Sequence, residues 1–167
     1  YVIANPEMKL VFQPGTFQIK LGTEVLKDIY ANTYVFFCNL EEAKRILDTT
    51  EHEIPMLIKA LHKLGPKIVV ITDGINGAYA SDGVEAWFMP IYPHDPYERT
   101  GAGDAFASTV SVALLKGKNL QEALTWGPVN SMSVVQYVGA QEGLLSPEKI
   151  EKYLADAPAS YAPQPLF

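Results

Sequence analysis

The stretch Glu98-Arg99-Thr100-Gly101-Ala102-Gly103-Asp104-Ala105-Phe106 runs a Gly-Ala-Gly turn into an acidic residue. An apolar segment, Ala105 to Leu115, follows and reads as a buried helix. A helix start leaves backbone N–H groups unpaired and carries the positive end of the dipole. Glycines there let an anion come close to those groups. Asp104 stands where a carboxylate could take a proton from a hydroxyl beside that anion. An anion hole next to a base is what phosphoryl transfer to an alcohol requires. A plain loop closed by an acidic helix cap uses the same residues, and taken alone they favour that simpler reading.

Two further stretches bear on the choice. Asn39-Leu40-Glu41-Glu42 opens a helix directly after an apolar strand. Its amide and carboxylate, three apart, share a helix face and are oxygen ligands suited to Mg2+, directly or through water. The same pair resembles a capping box, which alone is the better reading; the two roles can coexist. Thr72-Asp73-Gly74-Ile75-Asn76-Gly77 follows a third strand. Its glycines and hydroxyl could pass close to a nucleotide phosphate or base, although taken alone a plain glycine turn into the next strand is the favoured reading. The chain has no Gly-x-x-x-x-Gly-Lys-Ser/Thr, and its glycines do not follow Gly-x-Gly-x-x-Gly after a first strand. His52, His62 and His94 show no metal-ligand spacing.

The elements that must position these residues are legible as periodicities. Strands are predicted over Lys9 to Phe12, Thr33 to Cys38 and Lys67 to Thr72, with a hairpin, Ala78 to Ser81 and Val84 to Met89, about Ser81-Asp82-Gly83. Helices are predicted over Thr23 to Ala31, Leu40 to Leu47, Pro55 to Leu64, Ala105 to Leu115, Leu120 to Tyr137 and Pro147 to Leu154, the last capped by Ser146. The almost wholly apolar second and third strands are those of a parallel sheet buried on both faces. Alternating strands and helices imply an α/β fold with a mainly parallel sheet. Ligands on such sheets bind beyond the strands' carboxyl ends, so the three loops can converge on one edge.

Composition narrows the classes. The 167 residues suffice for one domain with a real core, taken here as 1–157, with a loose tail over 158–167. A net charge of −6 argues against nucleic acid as a partner, but not against a nucleotide held by backbone N–H groups. A single cysteine, Cys38, inside an apolar run, indicates a reducing, cytoplasmic setting and a small core side chain. No apolar run is long enough to span a membrane.

Taken in order, these motifs resemble the ribokinase-like (PfkB) family of sugar and nucleoside kinases. Thr100-Gly101-Ala102-Gly103-Asp104-Ala105-Phe106 resembles the core of the family signature Asp-Thr-x-Gly-Ala-Gly-Asp-x-Phe. Asn39-Leu40-Glu41-Glu42 is similar to its Asn-x-x-Glu motif, Thr72-Asp73-Gly74-Ile75-Asn76-Gly77 to its Thr-x-Gly-x-x-Gly nucleotide loop, and Gly139-Ala140 to the Gly-Ala after its paired C-terminal helices.

The resemblance implies a three-layer α/β/α fold and ATP-dependent phosphoryl transfer to a sugar hydroxyl. Its alternatives are a nucleoside (adenosine-type) acceptor and a relative that binds nucleotide without chemistry. Asp104 is implied as the base, and the N–H groups of Gly101, Ala102 and Gly103 as the anion hole. Asn39 and Glu42 are implied to organise Mg2+ and phosphate, and Thr72, Gly74 and Gly77 to line the ATP site. Gly139 is implied to border the adenine pocket and a monovalent-cation (K+) site. The chain departs from the signature at Glu98, which replaces an Asp that helps hold that cation, at Arg99, which replaces a Thr, and at Pro128, where relatives carry Asn or His near the adenine. The family's Gly-Gly substrate motif and β-sheet lid are not in this sequence. Tyr1 corresponds to a point past the middle of such a kinase, so most of the acceptor site and the lid, the usual homodimer contact, are expected to lie upstream. The chain alone is expected to be inactive.

Overall fold

Seven residues, Thr33–Asn39, form strand β2, and burial along it explains its composition: Val35, Phe36, Phe37 and Cys38 are all buried. The computed structural model describes residues 1–5, 7–94, 97 and 100–166. β1 (Leu10–Phe12) and β3 (Ile68–Thr72) flank β2, both parallel to it. β4 (Ala78–Ser81) runs antiparallel to β3, and β5 (Ala86–Met89) and β6 (Gln164–Pro165) complete a six-stranded sheet in the order β1-β2-β3-β4-β5-β6.

The helices are α1 (Thr16–Leu21), α2 (Lys27–Ala31), α3 (Leu40–Leu47), α4 (Ile54–His62), α5 (Ala102–Leu115), α6 (Leu120–Val134) and α7 (Pro147–Ala155). The chain divides into two compact units. The first comprises Tyr1–Gly74, Ala78–Trp87 and the chain from Pro165 on; the second comprises Ile75–Gly77 and Phe88–Gln164.

In the first unit alternate strand residues Phe36, Cys38, Val69 and Ile71 join Ala43 and Ile46 of α3 and Leu57, Ile58 and Leu61 of α4 in one core. Phe12, Tyr30 and Phe36 close its end, with ring centroids 5.4–5.9 Å apart in tilted and edge-on pairs. Rings in such arrangements attract beyond their buried area. The predicted helix over Thr23 to Ala31 starts only at Lys27, and α1, which has no strong apolar period, precedes it.

In the second unit α5 and α6 pack closely. A Cβ on Gly127 would lie 2.7 Å from the Phe106 ring, so only a glycine admits the neighbouring helix there. Asn130, buried on α6, ties the helices together: its Nδ2 donates to Thr109 Oγ1 at 2.6 Å and its Oδ1 accepts from the Leu145 N–H at 2.9 Å. Buried amides need such partners, and a satisfied one fixes register. The tail, expected to be loose, is pinned at two points. Tyr161 is buried and its hydroxyl donates to the Thr125 carbonyl, and the Leu166 N–H donates to the Ala86 carbonyl at 2.8 Å. Burial of one aromatic side chain outweighs the local prolines.

Cys38 behaves as the core residue expected. Burial, and secondarily the charge of Glu42, push its thiol well above the usual range. The thiolate is the reactive species. A thiol reagent should therefore label the folded protein no faster than it unfolds, and fully in denaturant. Rapid labelling of folded protein would contradict this placement.

Candidate active site

Asn39 ends β2 and caps α3. Its Oδ1 accepts from the Glu42 N–H at 2.8 Å, and the Glu42 carboxylate accepts from the Asn39 N–H at 2.9 Å. This is the full capping box, which satisfies two helix-start donors reciprocally. Asn39 is exposed and Glu42 half-buried, so their remaining oxygen lone pairs can face a hydrated cation while the box stays intact. Asn39 is also the register partner of Thr72, the last residue of β3. The loops after β2 and β3 thus leave the same, carboxyl end of adjacent parallel strands, the end beyond which ligands bind on such sheets. Gly74 opens a 3-10 turn, Gly74–Asn76, and a Cβ there would meet nothing within 4 Å. Gly77 differs: a Cβ on it would lie 2.5 Å from the Met89 carbonyl oxygen, so packing alone demands glycine there.

In the second unit α5 starts three residues earlier than predicted. Gly101 is its N-cap in the left-handed region (φ 83°, ψ −5°), and its carbonyl accepts from the Ala105 N–H at 2.8 Å. Asp104 is therefore the third residue of the first turn, not a cap, and it is exposed. A Cβ on Gly101 would lie 2.7 Å from the Ala140 Cα, so the turn that carries Gly139 and Ala140 packs directly on the helix start. Gly103 is the contrasting case. It is exposed, its φ is not in the left-handed region, and a Cβ on it would meet nothing within 4 Å. Neither backbone strain nor packing requires glycine at that position. A helix start is in general where an anion can sit.

Two residues that sequence reasoning passed over hold this turn. Ser131 Oγ, on α6, donates to the Ala102 carbonyl at 2.7 Å, and Ser133 Oγ donates to the Gly143 carbonyl at 2.7 Å. Their signal was small polar residues inside an otherwise buried helix. Pro128, inside α6, is buried. Glu98 and Arg99 lie outside the described residues. Among the described residues no three His, Cys, Asp or Glu side chains gather into a metal-binding group. Among the described residues no helix is long and apolar enough to cross a membrane.

The pattern of the pfkB family of carbohydrate kinases matches residues 10–147, and the chain belongs to that family. It is 34% identical over 121 residues to the ATP-dependent 6-phosphofructokinase of Thermoanaerobacterium thermosaccharolyticum, covering 71% of this chain and 36% of that protein. It is 31% identical over 118 residues to the cytidine kinase of Thermococcus kodakarensis, covering 70% of this chain and 42% of that one. Among solved structures, a putative ribokinase II from E. coli in complex with ATP and Mg2+ superposes with a TM-score of 0.79 at 19% identity, over 93% of this chain and 51% of that one. The fold is thus the ribokinase-like α/β fold, and the chain spans about half or less of the length of these relatives.

The Gly101 contact makes a stability prediction. Gly101→Ala forces an unfavourable backbone region against Ala140 and should cost about 1–3 kcal/mol, read as a lower midpoint in denaturant. An unchanged midpoint would mean that this close approach does not set the helix start.

Proposed function

We propose that this chain is the C-terminal, nucleotide-side part of an ATP-dependent sugar kinase that transfers the γ-phosphoryl group to a sugar hydroxyl. What supports this most is the start of α5, where Gly103, a glycine that neither strain nor packing requires, has open space on its side-chain side within the first turn of the helix. Asp104 follows within the same turn and is exposed. In this reading Asp104 accepts the proton of the acceptor hydroxyl as its oxygen attacks phosphorus. The N–H groups of Gly101, Ala102 and Gly103 stabilise the charge that develops on the transferred group. Asn39 and Glu42 hold Mg2+ through water while remaining a helix cap. When bound, the metal neutralises phosphate charge. Thr72, Gly74 and Gly77 line the ATP site, and Gly139 borders the adenine and a monovalent-cation site that Glu98 would share.

A nucleoside acceptor is the second reading, favoured by the 31% identity to a cytidine kinase. A panel of sugars and nucleosides assayed with the full-length protein and MgATP separates the two.

Asp104→Ala in the full-length protein should lower kcat by about 10^2–10^4-fold or more with little change in ATP affinity. Near-normal turnover would remove Asp104 from the role of base. Glu42→Gln separates capping from metal binding, because Gln also completes a capping box. Stability should hold while the Mg2+ concentration needed for half-maximal rate rises. Equal Mg2+ dependence in both proteins would leave Glu42 a cap only.

A further inference from the structure

A cavity of about 510 Å3 opens between the segment after α6 and one face of α7, in the second unit. Its volume lies within the range of small-molecule sites, roughly 300–1,000 Å3, and its wall is mixed, with apolar and aromatic groups beside three charged ones. Tyr137, Leu144 and Tyr153 line it, and each leaves much of its surface exposed (48%, 48% and 39%). These walls are built rather than loose. Gly143 lies under Tyr137 so closely that a Cβ on it would come within 2.4 Å of the ring. Tyr153 is braced by Tyr92, whose ring meets it edge-on at 5.8 Å and whose hydroxyl donates to the Tyr153 carbonyl at 3.1 Å.

The charged groups are arranged unusually for a chain of net charge −6. Lys149 and Lys152, three apart on α7, both line the cavity. Residues at that spacing are neighbours on a helix face, and like charges there repel. The nearby acids of α7 are engaged elsewhere: Glu151 pairs with Lys118 at 2.9 Å, and Glu148 accepts from the Ser146 hydroxyl. Among the described residues the only ion pairs are Lys44–Glu41 and Lys118–Glu151, so neither cavity lysine has one. Asp156, also in the wall, supplies one negative charge against two positive. An anion seated between the two ammonium groups would relieve their repulsion.

We infer that this cavity is a second ligand site, separate from the α5 start, that takes a small phosphate ester. Its phosphate lies on Lys149 and Lys152, and its ring on Tyr137 and Tyr153. The same segment that carries Tyr137 also carries Ala140, which packs on Gly101. A ligand here therefore bears on the segment that buttresses the helix start.

Calorimetric titration with AMP, fructose 6-phosphate and inorganic phosphate tests the site. At least one ester should bind saturably and be displaced by inorganic phosphate. Lys149→Ala/Lys152→Ala should weaken it at least tenfold with an unchanged Tm. Tyr153→Ala should weaken the ester while sparing inorganic phosphate. The relative strength of AMP and fructose 6-phosphate tells a nucleotide source from a sugar phosphate. Absence of saturable binding at millimolar concentrations overturns the inference, as does binding that survives the double lysine substitution, since that would place the ester elsewhere.

Discussion

The approach of Gly101 to Ala140 governs where α5 begins. Only a residue without a side chain can take the left-handed conformation with another backbone atom 2.7 Å from its would-be Cβ. That contact sets the helix start at Gly101, which puts Gly103 and Asp104 in the first turn. Ser131 and Asn130 hold the arrangement from α6, one at the Ala102 carbonyl and the other between Thr109 and Leu145. A helix start so fixed needs little reorganisation to receive an anion, and that is where electrostatic stabilisation gains its strength.

The first unit solves a parallel problem with different chemistry. β2 and β3 are buried on both faces, so register is set by packing, and the pairing of Asn39 with Thr72 aligns two strand ends. The capping box then gives Asn39 and Glu42 a structural duty that needs no ligand. A residue pair that caps a helix is held in place, which is also what a pair that organises a hydrated cation needs.

Much of this was legible in the sequence. The apolar runs of β2 and β3, the box at Asn39 and Glu42, and the long apolar helix after Gly103 all carried strong local signals, and α3 lies where its pattern puts it. The misses have physical causes. Gly-Ala-Gly reads as a turn by propensity, yet a tertiary contact makes most of it helix, which moves Asp104 inside the first turn. α1 escaped because Phe17 and Leu21 are largely exposed and give it no buried stripe. Pro158, Pro163 and Pro165 give the tail an irregular pattern in sequence, whereas Tyr161 and Leu166 decide its placement. Ser131 acts through a contact 29 residues away in sequence, beyond the reach of local pattern.

The central claim is that the space over Gly103 exists for a transferred phosphoryl group and not for the fold. Gly103→Ala in the full-length protein tests it most directly, with Tm and kcat measured on the same sample. Alanine is a better helix former than glycine and meets nothing within 4 Å here, so stability should hold or rise. The account predicts that kcat nevertheless falls by tenfold or more, because the methyl group intrudes where phosphate must sit. A variant with unchanged kcat would contradict it.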